Sequence, residues 1–235
     1  MLKNAIFNGN FEIAPPFTAS TTANDVVVNG TAAGGNAGTL GVSVSAEKSK
    51  YKWKVNIYTT TNGNVSYDSY DKYSGNYSMR LAGSAIKERV NLTYGRRQYP
   101  DLSNEFDITQ QLVPVFPSKQ YTISASVKQT ITNESGTAGI YGSLIGIFEH
   151  SPIAYITTNY LNNGNAANQS WATTMDWTNK SLTFTTNANT RYLNITPYIA
   201  GNATNYADIS TWFDDIDLET ITTSRTKSLL FSRLK

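Results

Sequence analysis

Threonine, asparagine, serine and glycine supply 92 of the 235 residues, and this bias constrains the fold more than any other feature of the chain. Threonine favours strands because its branched Cβ sits easily on a pleated surface, whereas asparagine, serine and glycine favour turns; none of the four suits a helix interior. The expectation is an all-β protein. With no cysteine, the core must come from packing alone, and 235 residues suffice for one large domain without staples. A hydrophobic fraction of 40% with only 15% charge fits a folded globular chain and not a disordered one.

Short β-branched or aromatic runs bounded by Asn, Gly, Ser or Pro recur along the chain. The clearest are Trp53–Tyr58, Tyr77–Leu81, Phe106–Val113, Tyr121–Thr130, Ile140–Phe148, Leu182–Thr186, Tyr192–Tyr198 and Trp212–Leu218. In Tyr121-Thr122-Ile123-Ser124-Ala125-Ser126-Val127 one alternate set is mostly apolar and the other hydroxylic, the pattern of a strand with one buried face. Two such sheets closing on each other make a single β-sandwich. Residues 19–41 and Asn159–Ser170, rich in Asn and Gly, read as long surface loops, and Ser224–Lys235 as a basic tail following a body of residues 1–223.

Much chemistry is excluded by composition. Thiol catalysis and sulfur-ligated metals need cysteine, and one histidine cannot build a His-rich zinc site. Four of the 19 bases, Arg225, Lys227, Arg233 and Lys235, lie in the tail, which leaves residues 1–224 slightly acidic; no nucleic-acid partner is expected. No run of 18 apolar residues suggests a membrane span, and no secretory signal is read at the start. Gly-x-Ser-x-Gly, phosphate-loop and His-Glu-x-x-His motifs are missing. Glu105, Asp107, Glu149 and Asp176 could in principle form a glycosidase pair, but the expectation is that the protein is not an enzyme.

Five separated motifs matter together. They are Asn8-Gly9-Asn10-Phe11-Glu12, Tyr73-Ser74-Gly75-Asn76-Tyr77-Ser78-Met79-Arg80-Leu81, Pro117-Ser118-Lys119-Gln120-Tyr121-Thr122-Ile123-Ser124, Asp176-Trp177 through Phe184-Thr185, and Trp212-Phe213-Asp214-Asp215-Ile216-Asp217-Leu218. In this order the chain resembles the carbohydrate-binding modules of families 4, 9 and 22 over roughly residues 3–220, with Ser118 standing where those modules usually have a turn glycine. The resemblance implies a galactose-binding-like jelly roll, and it places Trp53, Tyr121, Trp177 and Phe184 on core positions.

If the first and last strands lie side by side, Glu12 comes near Asp214, and two adjacent carboxylates require a cation or a proton. Calcium, which takes six to eight oxygens, suits such a place; the alternative is that the two acids are exposed or paired with Lys72 and Arg80. The resemblance implies a structural calcium held by Glu12 and Asp214 with backbone carbonyls of Asn10, Ser74 and Tyr77.

Sugar recognition requires flat apolar faces for pyranose rings and a few polar groups for their hydroxyls. The candidates are Tyr94, Arg96, Arg97 and Tyr99, with Asp107 and Gln111 on the following strand, and then Tyr141, Phe148, Tyr155 and Trp171. His150 reads as a surface histidine. The expected partner is a polysaccharide or cell-surface glycan, met outside the cell or on a virion. The competing expectation is a structural virion protein of a phage tail, fibre or capsid decoration that uses the same jelly roll for assembly, with the tail docking on a partner.

Overall fold

The computed structural model describes residues 6, 9–12, 53–57, 63–86, 89–94, 113–162, 164 and 169–221. The predicted loop at 19–41, the tail at 224–235, and residues 106–112 of one predicted strand lie outside them.

Among the described residues the regular structure is entirely β. The strands are β1 (Trp53–Ile57), β2 (Gly63–Asp68), β3 (Ser78–Gly83), β4 (Arg89–Tyr94), β5 (Val113–Pro114), β6 (Gln120–Ser135), β7 (Gly142–His150), β8 (Tyr155–Leu161), β9 (Met175–Thr185), β10 (Tyr192–Ala200) and β11 (Tyr206–Thr220). They form two antiparallel sheets, one ordered β1-β4-β10-β7-β8 with β5 also on β10, the other β2-β3-β11-β6-β9. The result is a single β-sandwich of the jelly-roll class.

Alternation explains why these segments pack as they do. On β6, Tyr121, Ile123, Ala125, Val127 and Ile131 are buried, and β11 answers across the ladder with Ile209, Phe213, Ile216 and Leu218. The first sheet meets them with Ile145 and Ile147 from β7 and Leu193, Ile195 and Ile199 from β10. Each such valine, leucine, isoleucine or phenylalanine side chain contributes about 1.5–3 kcal/mol by leaving water.

One polar residue crosses this core. Gln129 is fully buried, yet all its hydrogen-bonding capacity is used: Nε2 donates to the Trp171 and Thr173 carbonyls at 2.8 and 2.9 Å, and Oε1 accepts from the Ser143 and Thr211 hydroxyls. Because Ser143 lies on β7 and Thr211 on β11, this residue ties the two sheets together and fixes their relative position.

The structure corrects several expectations. Asn159, Tyr160 and Leu161 are not loop but the end of β8, paired with Ile147, Gly146 and Ile145. Strand β9 begins at Met175, seven residues before the predicted start at Leu182. Trp177 is not core: Thr178, its neighbour, pairs with buried Val127, so the indole points to the outer face, where it is only partly covered. His150 is not a surface histidine but is buried at 6% exposure.

Candidate functional site

The described sugar-site candidates separate into three groups. Tyr94 ends β4, in register with Ile195, while Arg96, Arg97, Tyr99, Asp107 and Gln111 lie outside the described residues. Tyr141 and Trp171 are interior, at 2% and 3% exposure, and belong to the hydrophobic core, so neither offers a face to a ligand. Their polar atoms are committed as well: the Tyr141 hydroxyl donates to Glu134, and that bond, aided by burial, pushes its pKa up to about 12. Trp171 exchanges backbone hydrogen bonds with Ser143 and faces Lys180 Nζ at 5.6 Å.

Phe148 and Tyr155 are brought together. Their ring centroids are 6.5 Å apart at 55°, and the His150 ring meets Tyr155 edge-on at 6.0 Å. Strand register builds the surrounding surface. Ile145 and Ile147 of β7 point into the core, so Gly146, Phe148 and His150 lie on the outer face; opposite them stand Thr196, Asn194 and Tyr192 of β10, and Tyr160, Thr158 and Tyr155 of β8. Tyr198 joins the row beside Leu144. Both are buried and lie apart from the main core.

Hydroxyl and amide groups are fixed among these rings: the Thr196 hydroxyl donates to Asn194 Oδ1 at 2.8 Å, and the Tyr155 and Thr158 hydroxyls share a 2.8 Å bond. Tyr155 is 39% exposed, whereas Asn194, Thr196 and Tyr198 lie deeper. Gly146 makes room for the rings, because a Cβ there would sit 2.8 Å from the Phe148 ring and 3.4 Å from that of Tyr198.

Behind this face, Glu149 projects the other way and is buried at 1% exposure. It accepts from Asn159 Nδ2 at 2.8 Å, from the Asn187 amide at 2.7 Å and from the Thr190 hydroxyl. Those bonds leave no open carboxylate for acid–base work; they pin the 187–190 turn and β8 against β7. Sequence reasoning named Phe148 and Tyr155, which the structure brings together, but not their neighbours Gly146, Thr158, Tyr160, Asn194, Thr196 and Tyr198. The available signal was the alternate set of β10, Tyr192-Asn194-Thr196-Tyr198, whose polar-aromatic character contrasts with Leu193, Ile195 and Ile199.

The second constellation joins the two ends of the described fold. The Ile216 amide donates to the Gly9 carbonyl at 2.9 Å, seating residues 9–12 beside β11. Glu12 Oε1 accepts from the Asn76 and Tyr77 amides at 2.6 and 3.1 Å, and Oε2 from Asn76 Nδ2 at 2.8 Å. Asp214 Oδ2 accepts from the Tyr73 and Ser74 amides at 3.1 and 3.0 Å, while Oδ1 takes the Asp215 amide at 2.8 Å. Both carboxylates therefore grip the 73–77 loop, and neither forms an ion pair with Lys72 or Arg80. Gly75 permits the approach, with a φ of 57° and a hypothetical Cβ only 2.2 Å from Glu12 Oε1.

Electrostatics differ at the two acids. Burial opposes the Glu12 charge, but the Asn76 and Tyr77 amides, the Asn76 side chain and the Lys72 charge hold its pKa below the usual range. At Asp214 burial dominates and, despite the three amides, pushes the carboxyl up to about 6. A fully buried carboxylate with only amide donors still lacks a compensating positive charge. Carboxylate oxygens are the hard donors that calcium takes, and in this structure those of Glu12 and Asp214 are met by N–H groups of residues 73–77 and 215. Among the described residues no group of three or more His, Cys, Asp or Glu side chains forms a metal cluster.

No protein-family model and no curated protein matches this chain. Among solved structures it is similar to a family 16 carbohydrate-binding module at 18% identity and a TM-score of 0.41, over 66% of this chain and 84% of that one. The CBM22-1 xylan-binding domain of Paenibacillus barcinonensis Xyn10C is similar at 11% identity and a TM-score of 0.41, over 74% and 88% of the two chains. The enzymatically active domain of bacteriophage CBA120 tailspike protein 4 gives 10% identity and a TM-score of 0.42 over 72% of this chain, but only 19% of that one. Likenesses this remote leave the ligand to be argued from the chain's own residues.

Proposed function

We propose that this domain binds a polysaccharide or cell-surface glycan without catalysing its cleavage, and does so outside the cell or on a particle surface. The observation that carries the reading is the outer face of the first sheet, where the Phe148, Tyr155 and Tyr160 rings, none of them fully buried, stand beside the Thr158 hydroxyl. Aromatic faces cover the apolar side of a pyranose, and hydroxyl and amide groups exchange hydrogen bonds with its equatorial hydroxyls. Because strands and neighbouring rings hold these groups, little side-chain freedom is lost when a chain of sugars settles on them.

Glu12 and Asp214, with the carbonyls of Asn10, Ser74 and Tyr77, would hold a structural calcium. When bound, the ion supplies positive charge to the buried Asp214 carboxylate and fastens the 73–77 loop. It does no chemistry on the glycan.

Affinity electrophoresis through gels containing xylan, mixed-linkage β-glucan, galactomannan or capsular polysaccharide tests the reading. At least one polymer should retard the protein, and Tyr155→Ala and Phe148→Ala should each reduce retardation at least about tenfold, as expected for central aromatic anchors. Absence of retardation in every gel, or variants that migrate like the wild type, would overturn it.

A further inference from the structure

The outer face of the second sheet carries a separate aromatic and charged surface. Arg80, Lys128 and Trp212 each alternate with core residues on β3, β6 and β11 and so point outward. The Trp212 ring lies under both cations, with the Arg80 guanidinium 5.2 Å and Lys128 Nζ 5.6 Å from its centroid, and its Nε1 donates to Asp68 Oδ2 at 2.8 Å. Lys128 Nζ also bridges to Asp71 at 2.6 Å. Beside this framework the Tyr73 ring, 51% exposed, meets the Trp177 indole at 5.8 Å and 55°.

Two features distinguish this pair from incidental surface packing. First, its backbone is fixed: Asp68 Oδ1 accepts from the Tyr70 and Asp71 amides at 2.8 and 3.0 Å, and Asp214 takes the Tyr73 and Ser74 amides. A ring on an immobile loop binds without the entropy cost of ordering it. Second, charge around the rings is of both signs, with the three acids Asp68, Asp71 and Asp176 against the two bases Arg80 and Lys128. Such a surface does not draw in a polyanion, but an acid beside an ammonium offers an acceptor and a donor at the spacing of neighbouring hydroxyls.

We propose that Tyr73 and Trp177, rimmed by Asp71, Lys128 and Asp176, form a second platform for a neutral glycan. It shares its ligand class with the reading above, but not its surface. The outer faces of two packed sheets point in opposite directions, so a short oligosaccharide cannot touch both, whereas separate segments of a polymer can. The platform therefore adds avidity for polymers and lets one domain bridge two chains.

The test compares the whole chain with Tyr73→Ala, Trp177→Ala and the double variant Phe148→Ala/Tyr155→Ala in gels of xylan, mixed-linkage β-glucan and galactomannan, with melting curves as a folding control. Loss of either Tyr73 or Trp177 should weaken retention by a retarding polymer about three- to tenfold, and the double variant should keep a residual retention that Tyr73→Ala removes. Wild-type retention in Tyr73→Ala and Trp177→Ala overturns the platform while leaving the first-sheet reading intact. Retention lost with Tyr73 but unaffected by the double variant supports the platform and overturns the first-sheet reading. No retention of the wild type overturns both.

Should Tyr73→Ala fail to fold, iodide quenching of indole emission serves instead. A retarding polymer should protect the wild type, and that protection should diminish in Trp177→Phe. Unchanged quenching with polymer would refute the platform.

Discussion

Replacing Glu149 by alanine isolates the energetic role of a buried carboxylate that faces away from the outer surface of the first sheet. The substitution removes the acceptor of three donors, the Asn187 amide, the Thr190 hydroxyl and Asn159 Nδ2, from a site at 1% exposure. Leaving a buried donor unsatisfied costs about 1–3 kcal/mol. Partial rehydration of the Asn159 amide and the Thr190 hydroxyl brings the expected total to about 3–5 kcal/mol, a large part of the roughly 5–15 kcal/mol that a domain possesses. Glu149→Gln retains volume and one acceptor, and should cost about 1–2 kcal/mol because its amide group then meets donors. Urea titration followed by circular dichroism reads the loss as a lower midpoint at constant slope, by about 1–2 M for alanine. If alanine falls within about 0.5 kcal/mol of the wild type, or glutamine proves worse than alanine, the three hydrogen bonds do not have the role assigned to them.

Gly146→Ala places a methyl group against the Phe148 ring, a side chain that can shift, so stability should fall by no more than about 2 kcal/mol. Glycan retention should fall further, by more than tenfold; gel retention equal to wild type would refute the packing argument. Gly75→Ala meets both a positive φ and the Glu12 carboxylate, and should cost about 1–3 kcal/mol while exposing residues 9–12 to protease, as read by limited proteolysis. Asp214, ordinarily near 3.8, is raised to about 6, so the folded state holds its proton more tightly than the unfolded state. Without metal, stability should therefore rise as pH falls from 7 towards 4, by less than about 3 kcal/mol. Glu12 and Asp68, whose pKa values are lowered, act with the opposite sign only once pH falls through and below their unfolded values. Calcium should raise the melting temperature at pH 7 and flatten that slope; a chelator-treated melt that is level between pH 7 and 5 would contradict the burial argument.

The sandwich was legible wherever strands had one wet and one dry face, as in β6, because alternation needs only the sequence. It was less legible at the sheet edges. Strand β8 carries Thr157, Thr158 and Asn159, half-covered on both faces, so no apolar period marks it. The first half of β9, Met175–Ser181, is exposed enough to resemble a loop, and its tryptophan, which the resemblance placed in the core, covers an outer surface instead. Glu12 and Asp214 were expected to meet over a shared cation; the structure shows each holding amides of the 73–77 loop, an arrangement that depends on how that loop turns at Gly75. Of the residues on the outer face of the first sheet, single aromatics could be named, while the grouping of Phe148 with Asn194 and Thr196 required knowing that β7 lies beside β10. The reverse error, naming Tyr141 and Trp171 as sugar-binding candidates, arose because a buried aromatic with a polar partner and an exposed one look alike in sequence.

Because one short loop is held on one side by residue 12 and on the other by residue 214, fraying cannot stay local. Release of either carboxylate frees the 73–77 turn that positions its counterpart, so detachment at one extremity propagates at once to the other. A molecule fastened in this way resists gradual peeling and gives way in a single concerted step.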